Sequence, residues 1–353
     1  MRTIPLITDR TTITTDWGCG QARWWYKHEN GGGIVPAIAP EYLTDGGDIH
    51  LDMAALFGGV PLEDVIGPVL AGVRGINDQL KLESAYRRAA WAAGVELFIK
   101  PATLAEFEVV SIEKELILDR WPLWVACTPD LVLRRRDNPK YKVYREYKST
   151  GRVSRGWVDH WPTAVQVHIG LKAEEEDSGE APKYGEVMGL YKGEWKGGWL
   201  RHPYVWAWVG GGGDPANANN WTHEYKTGLE RPPVWEYPDG VVEWVKRLGQ
   251  EVAAGIFPFS APIFLNETML DTMIEAETHR ELEIETVKDS CQNDRMVRAR
   301  YFRPNFERCN PVIGGDCPYL AACHNKEVNK SPLGSGLFVP REPHHDVELV
   351  GVE

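Results

Sequence analysis

No run of this chain is apolar and long enough to cross a bilayer, and its first residues, MRTIPLITDR, lack the basic-then-apolar order of an export signal. The expectation is an intracellular protein with no membrane partner. Net positive charge is also missing. Lys and Arg number 39 against 51 Asp and Glu, a formal charge of −12, which excludes a protein that coats nucleic acid through a generally basic surface. There is no internal repeat, and no two cysteines sit two to four residues apart, the spacing most zinc sites use. The Gly/Asn-rich stretch at 210–220 lacks the spacing of a phosphate-cradling loop and reads as a linker.

What is present describes an ordinary globular chain of 353 residues, 43% hydrophobic and 25% charged, long enough to bury a sizeable core. Six cysteines in a chain expected inside a cell point to metal or redox use rather than disulfides. Fifteen tryptophans are many, and Trp157, Trp161, Trp195 and Trp199 flank the candidate site in sequence. Core packing is the ordinary role for such side chains; stacking on unpaired bases is the functional one.

Hydrophobic periodicity sets out the elements. Short helical pattern covers Gln21–Tyr26, and Gly31–Gly33 form a loop. A helix begins at Gly46 and runs through LDMAALF, and another covers about Val73–Ile99. Phe107–Leu118 reads as a strand pair or one bent strand. After a polar loop from Ser149 to Gly156, a helix spans Trp157–Glu176, with strands over Tyr184–Tyr191 and Arg201–Val209. Helices then cover 240–254 and about Glu267–Ser290, separated by the prolines between 258 and 262. Residues 327–353, rich in Gly, Pro and His, read as a poorly ordered tail in which His344 and His345 are solvated.

The most informative stretch is Thr128–Lys148. Leu131–Arg136 and Tyr141–Glu146 are β-prone, and Asp137–Lys140 is turn chemistry. A hairpin folded about Asn138 and Pro139 sets Asp130 opposite residue 147, beside Glu146 and Lys148, which share one strand face. Two carboxylates and an ammonium then converge. Like charges so placed need a cation, and hard oxygen ligands suit Mg²⁺ or Mn²⁺. A lysine beside them would orient water and offset charge developing on a phosphate. This is the outline of a metal-dependent phosphodiesterase, although Asp with Glu-x-Lys also occurs on hairpins as a solvated face. Basic residues cluster here (Arg134, Arg135, Arg136, Lys140, Lys142, Arg145) and again at Arg295, Arg298, Arg300, Arg303 and Arg308.

Cys309, Cys317 and Cys323 cluster in CNPVIGGDCPYLAAC, whose glycines and proline let a backbone wrap a cofactor. Three thiolates need a fourth ligand, and the lone Cys19 supplies it if the two ends of the chain meet. An iron–sulfur cluster is preferred to zinc on these spacings. Cys127 and Cys291 stand alone and read as buried free thiols.

Taken in order, Cys19, Gly46-x-x-x-His50, Pro129-Asp130, Glu146-Tyr147-Lys148, Gln166, then Cys309, Cys317 and Cys323 resemble the PD-(D/E)XK nuclease superfamily. The similarity is to its RecB-type branch with an iron–sulfur cluster, which includes CRISPR-associated and phage recombination exonucleases, and it covers about residues 17–325. The resemblance implies that His50, Asp130, Glu146 and the Tyr147 carbonyl bind Mg²⁺ or Mn²⁺. It implies that Lys148 positions the attacking water and that Gln166 touches DNA or orients Lys148. It further implies that Cys19, Cys309, Cys317 and Cys323 hold a 4Fe-4S cluster with a mainly structural role. Relatives often carry tyrosine four residues after the glutamine, where this chain has Gly170.

The expected fold is α/β: a restriction-endonuclease-like core with a mixed central β-sheet flanked by helices. One domain would span 1–326, with a helical part at about 50–105, a catalytic sheet at about 106–225, a C-terminal cysteine segment at 226–326 and a flexible tail after it. The expected activity is a DNA exonuclease acting on ends or single strands in recombination or DNA processing, in the cytoplasm of a bacterial or phage-infected cell, with recombination or CRISPR-type protein partners. A structure-selective endonuclease, a non-catalytic DNA-binding or assembly module braced by the cluster, and a zinc-braced protein are the alternatives.

Overall fold

The computed structural model of the chain describes residues 5–9, 12–13, 18–38, 41–73, 79–150, 155–191, 242, 245–246, 257, 259–306, 309, 317–343 and 345–349. The strand expected over 201–209, the linker at 210–220, most of the helix over 240–254, Trp195, Trp199, Arg308 and His344 lie outside the described residues.

A first strand, β1 (Leu6–Asp9), precedes a short helix, α1 (Gly20–Arg23), which widens into a π-type turn at Trp24–His28. Strand β2 (Ile34–Pro36) follows the triple-glycine loop. There Gly33 has φ +88° and any Cβ would meet the Tyr26 carbonyl oxygen at 1.8 Å, so only glycine fits. Helix α2 (Glu41–Phe57) starts earlier than the expected Gly46, which puts His50 in mid-helix. Ile49, Met53, Leu56 and Phe57 recur at helical spacing on α2 and are buried. Helix α3 (Leu62–Gly72) was not apparent from periodicity, because Gly67 and Pro68 interrupt its pattern. Helix α4 (Gln79–Gly94) is alanine-rich and packs closely, and after a π-type turn at Val95–Ile99 comes α5 (Lys100–Glu106).

Strands β3 (Phe107–Ile112) and β4 (Leu116–Arg120) adjoin in sequence but belong to different sheets, so the expected single pair is split. Strand β5 (Leu123–Cys127), unanticipated, joins β1 in parallel and β4 antiparallel in a three-stranded sheet ordered β1-β5-β4. Next come β6 (Leu131–Arg135) and β7 (Lys142–Thr150). Strand β7 continues through Ser149 and Thr150, where a loop was expected, because both pair with the last strand of the sheet. Helix α6 (Arg155–His160) and helix α7 (Val165–Ser178) replace the expected single helix, with Pro162 between them. Strand β8 (Tyr184–Tyr191) completes a four-stranded sheet ordered β3-β6-β7-β8, antiparallel except for the parallel β7–β8 pair. The chain is thus mixed α/β, with helices on both sides of a mixed sheet.

Two cores flank that sheet. Leu131, Leu133, Val143, Tyr147 and Met188 pack against α2, α3 and α4. Tyr144 and Val187 pack against Val167 and Leu171 of α7. Val165, Ile169 and Ala173, on another side of α7, pack against β4 and β5. A helix wedged between two sheets has no solvent face over most of its length, which accounts for its lack of a one-sided apolar stripe.

The long helix α8 (Glu267–Asn293) is capped by Asn266, whose side chain accepts from Met269 N at 3.0 Å. It runs from the core beside β4 and β5, through Leu270 and Met273, to a third core at Ile284 and Cys291. That third core is closed by α9 (Arg295–Tyr301), α10 (Leu320–His324), α11 (Lys326–Lys330) and β9 (Phe338–Pro340). Strand β9 pairs antiparallel with β2, Phe338 stacks on Tyr319 at 6.2 Å, and His345, expected to be solvated, is buried with its Nδ1 3.0 Å from Glu115 Oε2. The expected flexible tail after residue 326 is therefore corrected: much of it is packed structure, held by strand pairing with the N-terminal region.

At the junction of α1 and α8, Arg23 is fully buried and lies 2.8 Å from Glu277 and 2.5 Å from Glu281. Beside them the His28 ring lies 5.5 Å from Phe302 with its Nε2 enclosed, and burial pushes its pKa down to about 3. A histidine held neutral when folded adds stability that is complete above about pH 6.5 and is lost as pH falls towards 3, because only the unfolded chain then takes the proton. Glu281, lowered to about 2 by Lys27 and Arg23 against its burial, loses its contribution only below its ordinary value of 4.5. As pH falls from 6.5 to 5, the slope of the His28 contribution should grow from about half to nearly the full ~1.4 kcal/mol per pH unit. Denaturant unfolding of His28→Gln beside the parent checks this: the variant should show a flatter pH dependence by about one proton over that range.

Candidate metal centre and cysteine cluster

The β6–β7 hairpin closes with Tyr141 N donating to Asn138 O at 2.8 Å, with Pro139 in the second position of the turn. Its ladder pairs Leu131 with Arg145, which centres the hairpin on Asn138 itself. The expected register of Asp130 against residue 147 is therefore off by one; continued one residue past the ladder, Asp130 faces Glu146. An odd-numbered loop between the strands produces the shift.

Asp130 is 2% exposed and Glu146 is fully buried. Asp130 Oδ1 lies 2.6 Å from His50 Nδ1, and Asp130 Oδ2 accepts from the Tyr147 backbone N–H. His50 is carried there by α2, which Arg88 of α4 holds by bonds to Asp52 (2.5 and 2.8 Å) and Asp48 (2.7 Å). Phe57 stacks on Tyr147 at 6.5 Å, fixing α2 against β7. Tyr147 thus sends its ring into the core and its amide to Asp130; burial pushes its phenol pKa up.

On the other face of β7, Lys148 Nζ lies 3.1 Å from Glu146 Oε2, and the Tyr144 hydroxyl donates to Glu146 Oε1. Of the expected residues, His50 and Asp130 form one contact just before β6, and Glu146 and Lys148 form another in the middle of β7; Glu146 does not join the close group of potential ligands around His50. Gln166 sits in the first turn of α7, half-buried, and no hydrogen bond joins it to Lys148 among the described residues. The glycine at 170 has a physical reason: a Cβ there would lie 2.1 Å from the Tyr144 hydroxyl oxygen and 2.2 Å from its ring. The fully buried Tyr144 reaches from β7 into the space that a side chain at 170 would fill.

Sequence reasoning missed Glu113, in the turn after β3. Among the described residues, His50, Glu113 and Asp130 are the one group of three potential ligands whose donor atoms lie within 4.8 Å of one another. Nothing in the sequence marks Glu113, since it is one charged residue among several in FEVVSIEKELIL.

Apart from the exposed Lys140, the basic residues of the hairpin are engaged within the protein. Arg134 pairs with Glu180 (2.9 Å), Arg135 with Asp137 (2.8 Å) and Arg145 with Glu186 (2.7 Å). Lys142 is fully buried on Glu174 (2.8 Å), Ser178 (2.6 Å) and the Glu180 carbonyl (3.1 Å). In the second basic cluster Arg298 is buried against Trp25 at 4.6 Å, whereas Arg300 and Arg303 line an open groove of about 520 Å³ with Arg280, Glu283, Tyr301 and Gly20. Trp161 is buried, and Trp157 packs edge-on to it at 5.6 Å, so both serve the core first.

The two ends of the chain do meet. Gln21 Nε2 donates to Phe302 O at 2.7 Å, Asn305 Nδ2 donates to Gly18 O at 3.0 Å, and Gly20 leaves room for the Arg303 backbone, 2.9 Å from where a Cβ would stand. Cys19, Cys317 and Cys323 fringe one apolar cluster, and Cys309 sits within electrostatic reach of Cys19. Burial pushes Cys323 up to about 11, with the other three thiols adding to it. Trp25 Nε1 donates to Cys323 Sγ at 3.1 Å and Asn305 N to Cys19 Sγ at 3.3 Å, the kind of N–H···S bonds that suit thiolate ligands. No three of these thiols lie within 4.8 Å of one another among the described residues. A single zinc ion, with Zn–S of about 2.3 Å, would draw them to about 3.8 Å apart. Four thiols are a donor set that an iron–sulfur cluster also accepts. His324 Nε2, 3.5 Å from Cys309 Sγ, is a further nearby donor. Cys127 and Cys291 are buried, as expected; Cys127 lies in the core beside β4 and β5, and Cys291 in the apolar cluster that the other cysteines fringe.

The Gly170 contact yields a direct test. Gly170→Ala should destabilise the protein by about 1–3 kcal/mol, the usual cost of overpacking, since the enclosed Tyr144 ring has nowhere to move. Thermal or urea unfolding measures it, and a neutral result would mean the ring is not seated as described. Compared with known proteins, the sequence matches no protein-family model and no curated protein closely enough to assign it to a family.

Proposed function

We propose that this chain is a Mg²⁺- or Mn²⁺-dependent DNA nuclease of the PD-(D/E)XK type, built on a restriction-endonuclease-like core and braced by a 4Fe-4S cluster. One observation carries the reading: the buried Asp130–His50 contact lies at the end of β6, next to the Glu146–Lys148 contact on β7. A solvated hairpin face would not bury two carboxylates.

Asp130, His50, Glu146 and the Tyr147 carbonyl are the residues that would hold the divalent cation. When bound, it would lower the pKa of a coordinated water and neutralise phosphate charge. Lys148 donates from beside Glu146 to orient the attacking water and offset charge on the phosphorane-like transition state. Water adds to phosphorus, the ester P–O bond breaks, and the leaving oxygen takes a proton. The Tyr144 hydroxyl holds the other Glu146 oxygen, which keeps that carboxylate in one orientation. Cys19, Cys309, Cys317 and Cys323 would carry the cluster, clasping the N-terminal segment to α9 and α10 and leaving the phosphodiester chemistry to the sheet. Arg300 and Arg303 offer the exposed cations that a nucleic-acid backbone would meet.

The substrate proposed is DNA at ends or in single strands, in recombination or DNA processing. Full-length protein should cleave end-labelled linear DNA with Mn²⁺, and Glu146→Ala should lose at least 10³-fold in rate, on the order expected for removing a transition-state stabiliser. Intact circular single strands alongside degraded linear ones distinguish an exonuclease from an endonuclease. Absence of cleavage by folded, iron-loaded protein with either metal would favour a DNA-binding module instead. In parallel, Cys317→Ala should lose iron and several degrees of melting temperature, with a smaller effect on the rate of the fraction that stays folded. An unchanged melting temperature would overturn the brace.

A further inference from the structure

We propose that Glu113 is a direct carboxylate ligand of the divalent cation, completing a site with His50 and Asp130. The inference rests on the metal-site reading above and extends it to a residue that no motif marks. Three independent side chains supply the donors: one from helix α2, one from the turn after β3, one from the end of β6. Their donor atoms lie within 4.8 Å of one another, with Glu113 Oε1 3.9 Å and Asp130 Oδ1 2.6 Å from His50 Nδ1. Oxygen and imidazole donors match what Mg²⁺ or Mn²⁺ accepts, and Glu113 would add a carboxylate to the donors named above.

The local backbone is built to deliver this side chain. The β3–β6 ladder shifts register between Val109 and Ser111, a bulge that re-aims the residues following it. Glu113 itself has φ +45°, a left-handed conformation that glycine or asparagine adopts far more readily than glutamate. Its N–H donates to the Asp130 carbonyl at 3.3 Å, so the turn is tied to the residue it would share the cation with. Two residues on, Glu115 accepts from Asp346 N at 3.1 Å and contacts His345. The turn is thereby clamped at both ends with a glutamate where the conformation favours glycine. Such strain persists where the surroundings over-determine it, and a ligand role gives the glutamate side chain its purpose.

The experiment is Mn²⁺ titration of the full-length protein, read as loss of the free Mn²⁺ signal in electron paramagnetic resonance. Mn²⁺ prefers oxygen and imidazole to thiols, so the cysteine group does not compete. Glu113→Gln should weaken Mn²⁺ binding at least tenfold, in step with Asp130→Asn, while Glu115→Gln, in the same turn, stays within twofold of the parent. Glu113→Gly guards against misfolding: with the left-handed strain relieved, its melting temperature should equal or exceed the parent's while the Mn²⁺ affinity is lost. Parent-like binding by Glu113→Gln and Glu113→Gly, alongside loss in Asp130→Asn, would overturn the ligand role and leave the metal site standing. If the parent binds no Mn²⁺ that Asp130→Asn removes, the ligand role and the metal-site reading fall together.

Discussion

The Asp130 carboxylate is almost wholly removed from water, and such a group persists only where other donors replace its hydration. Here the replacements come from two directions: the His50 ring on a helix and the Tyr147 amide on the neighbouring strand. One side chain therefore holds α2, β6 and β7 in a common geometry. The Arg88 fork to Asp48 and Asp52 and the Phe57–Tyr147 stack serve the same end, since each prevents α2 from sliding and carrying His50 away. Glu146 is fixed in turn by Tyr144 and Lys148, and Tyr144 is admitted only because position 170 lacks a side chain.

The cysteine end is joined to the three-stranded sheet rather than to the sheet that carries Glu146. Helix α8 packs its first turns against the core beside β4 and β5 and its last turns against the cluster of Trp25, Phe302 and Cys291. Between these ends Arg23, Lys27, Glu277 and Glu281 form a buried ionic junction between α8 and the N-terminal segment. Buried ion pairs contribute little net stability against apolar packing, but breaking one leaves a stranded charge, so the junction specifies how the two halves meet. A cluster on the four cysteines would lock the same junction from its other side.

Composition and periodicity made legible the α/β class, the β6–β7 hairpin, the β8 strand and the long helix from Glu267, because each rests on local signals: turn residues, β-prone runs, a proline break. The Glu146–Lys148 contact was legible too, since strand alternation reaches that far, whereas the side-chain partner found for Asp130 is His50 on a helix. The parts that escaped depend on partners distant in sequence. Strands β1 and β5 pair across more than a hundred residues, β2 finds β9 only at the far end of the chain, and the segment after residue 326 is ordered by that pairing rather than by its own composition.

By itself the sequence determined which chemical groups exist and which neighbours share a face: a carboxylate before one strand, Glu-x-Lys on the next, three clustered thiols and a fourth far away. Only the tertiary structure decided the one-residue register that sets Asp130 across from Glu146, the seating of Tyr144 over Gly170, and the arrival of Glu113 beside His50. The physical reason is the same in each case. Local propensities act over a turn or a strand, whereas these placements are set by hydrogen bonds and close packing between elements that the chain brings together only once it is folded.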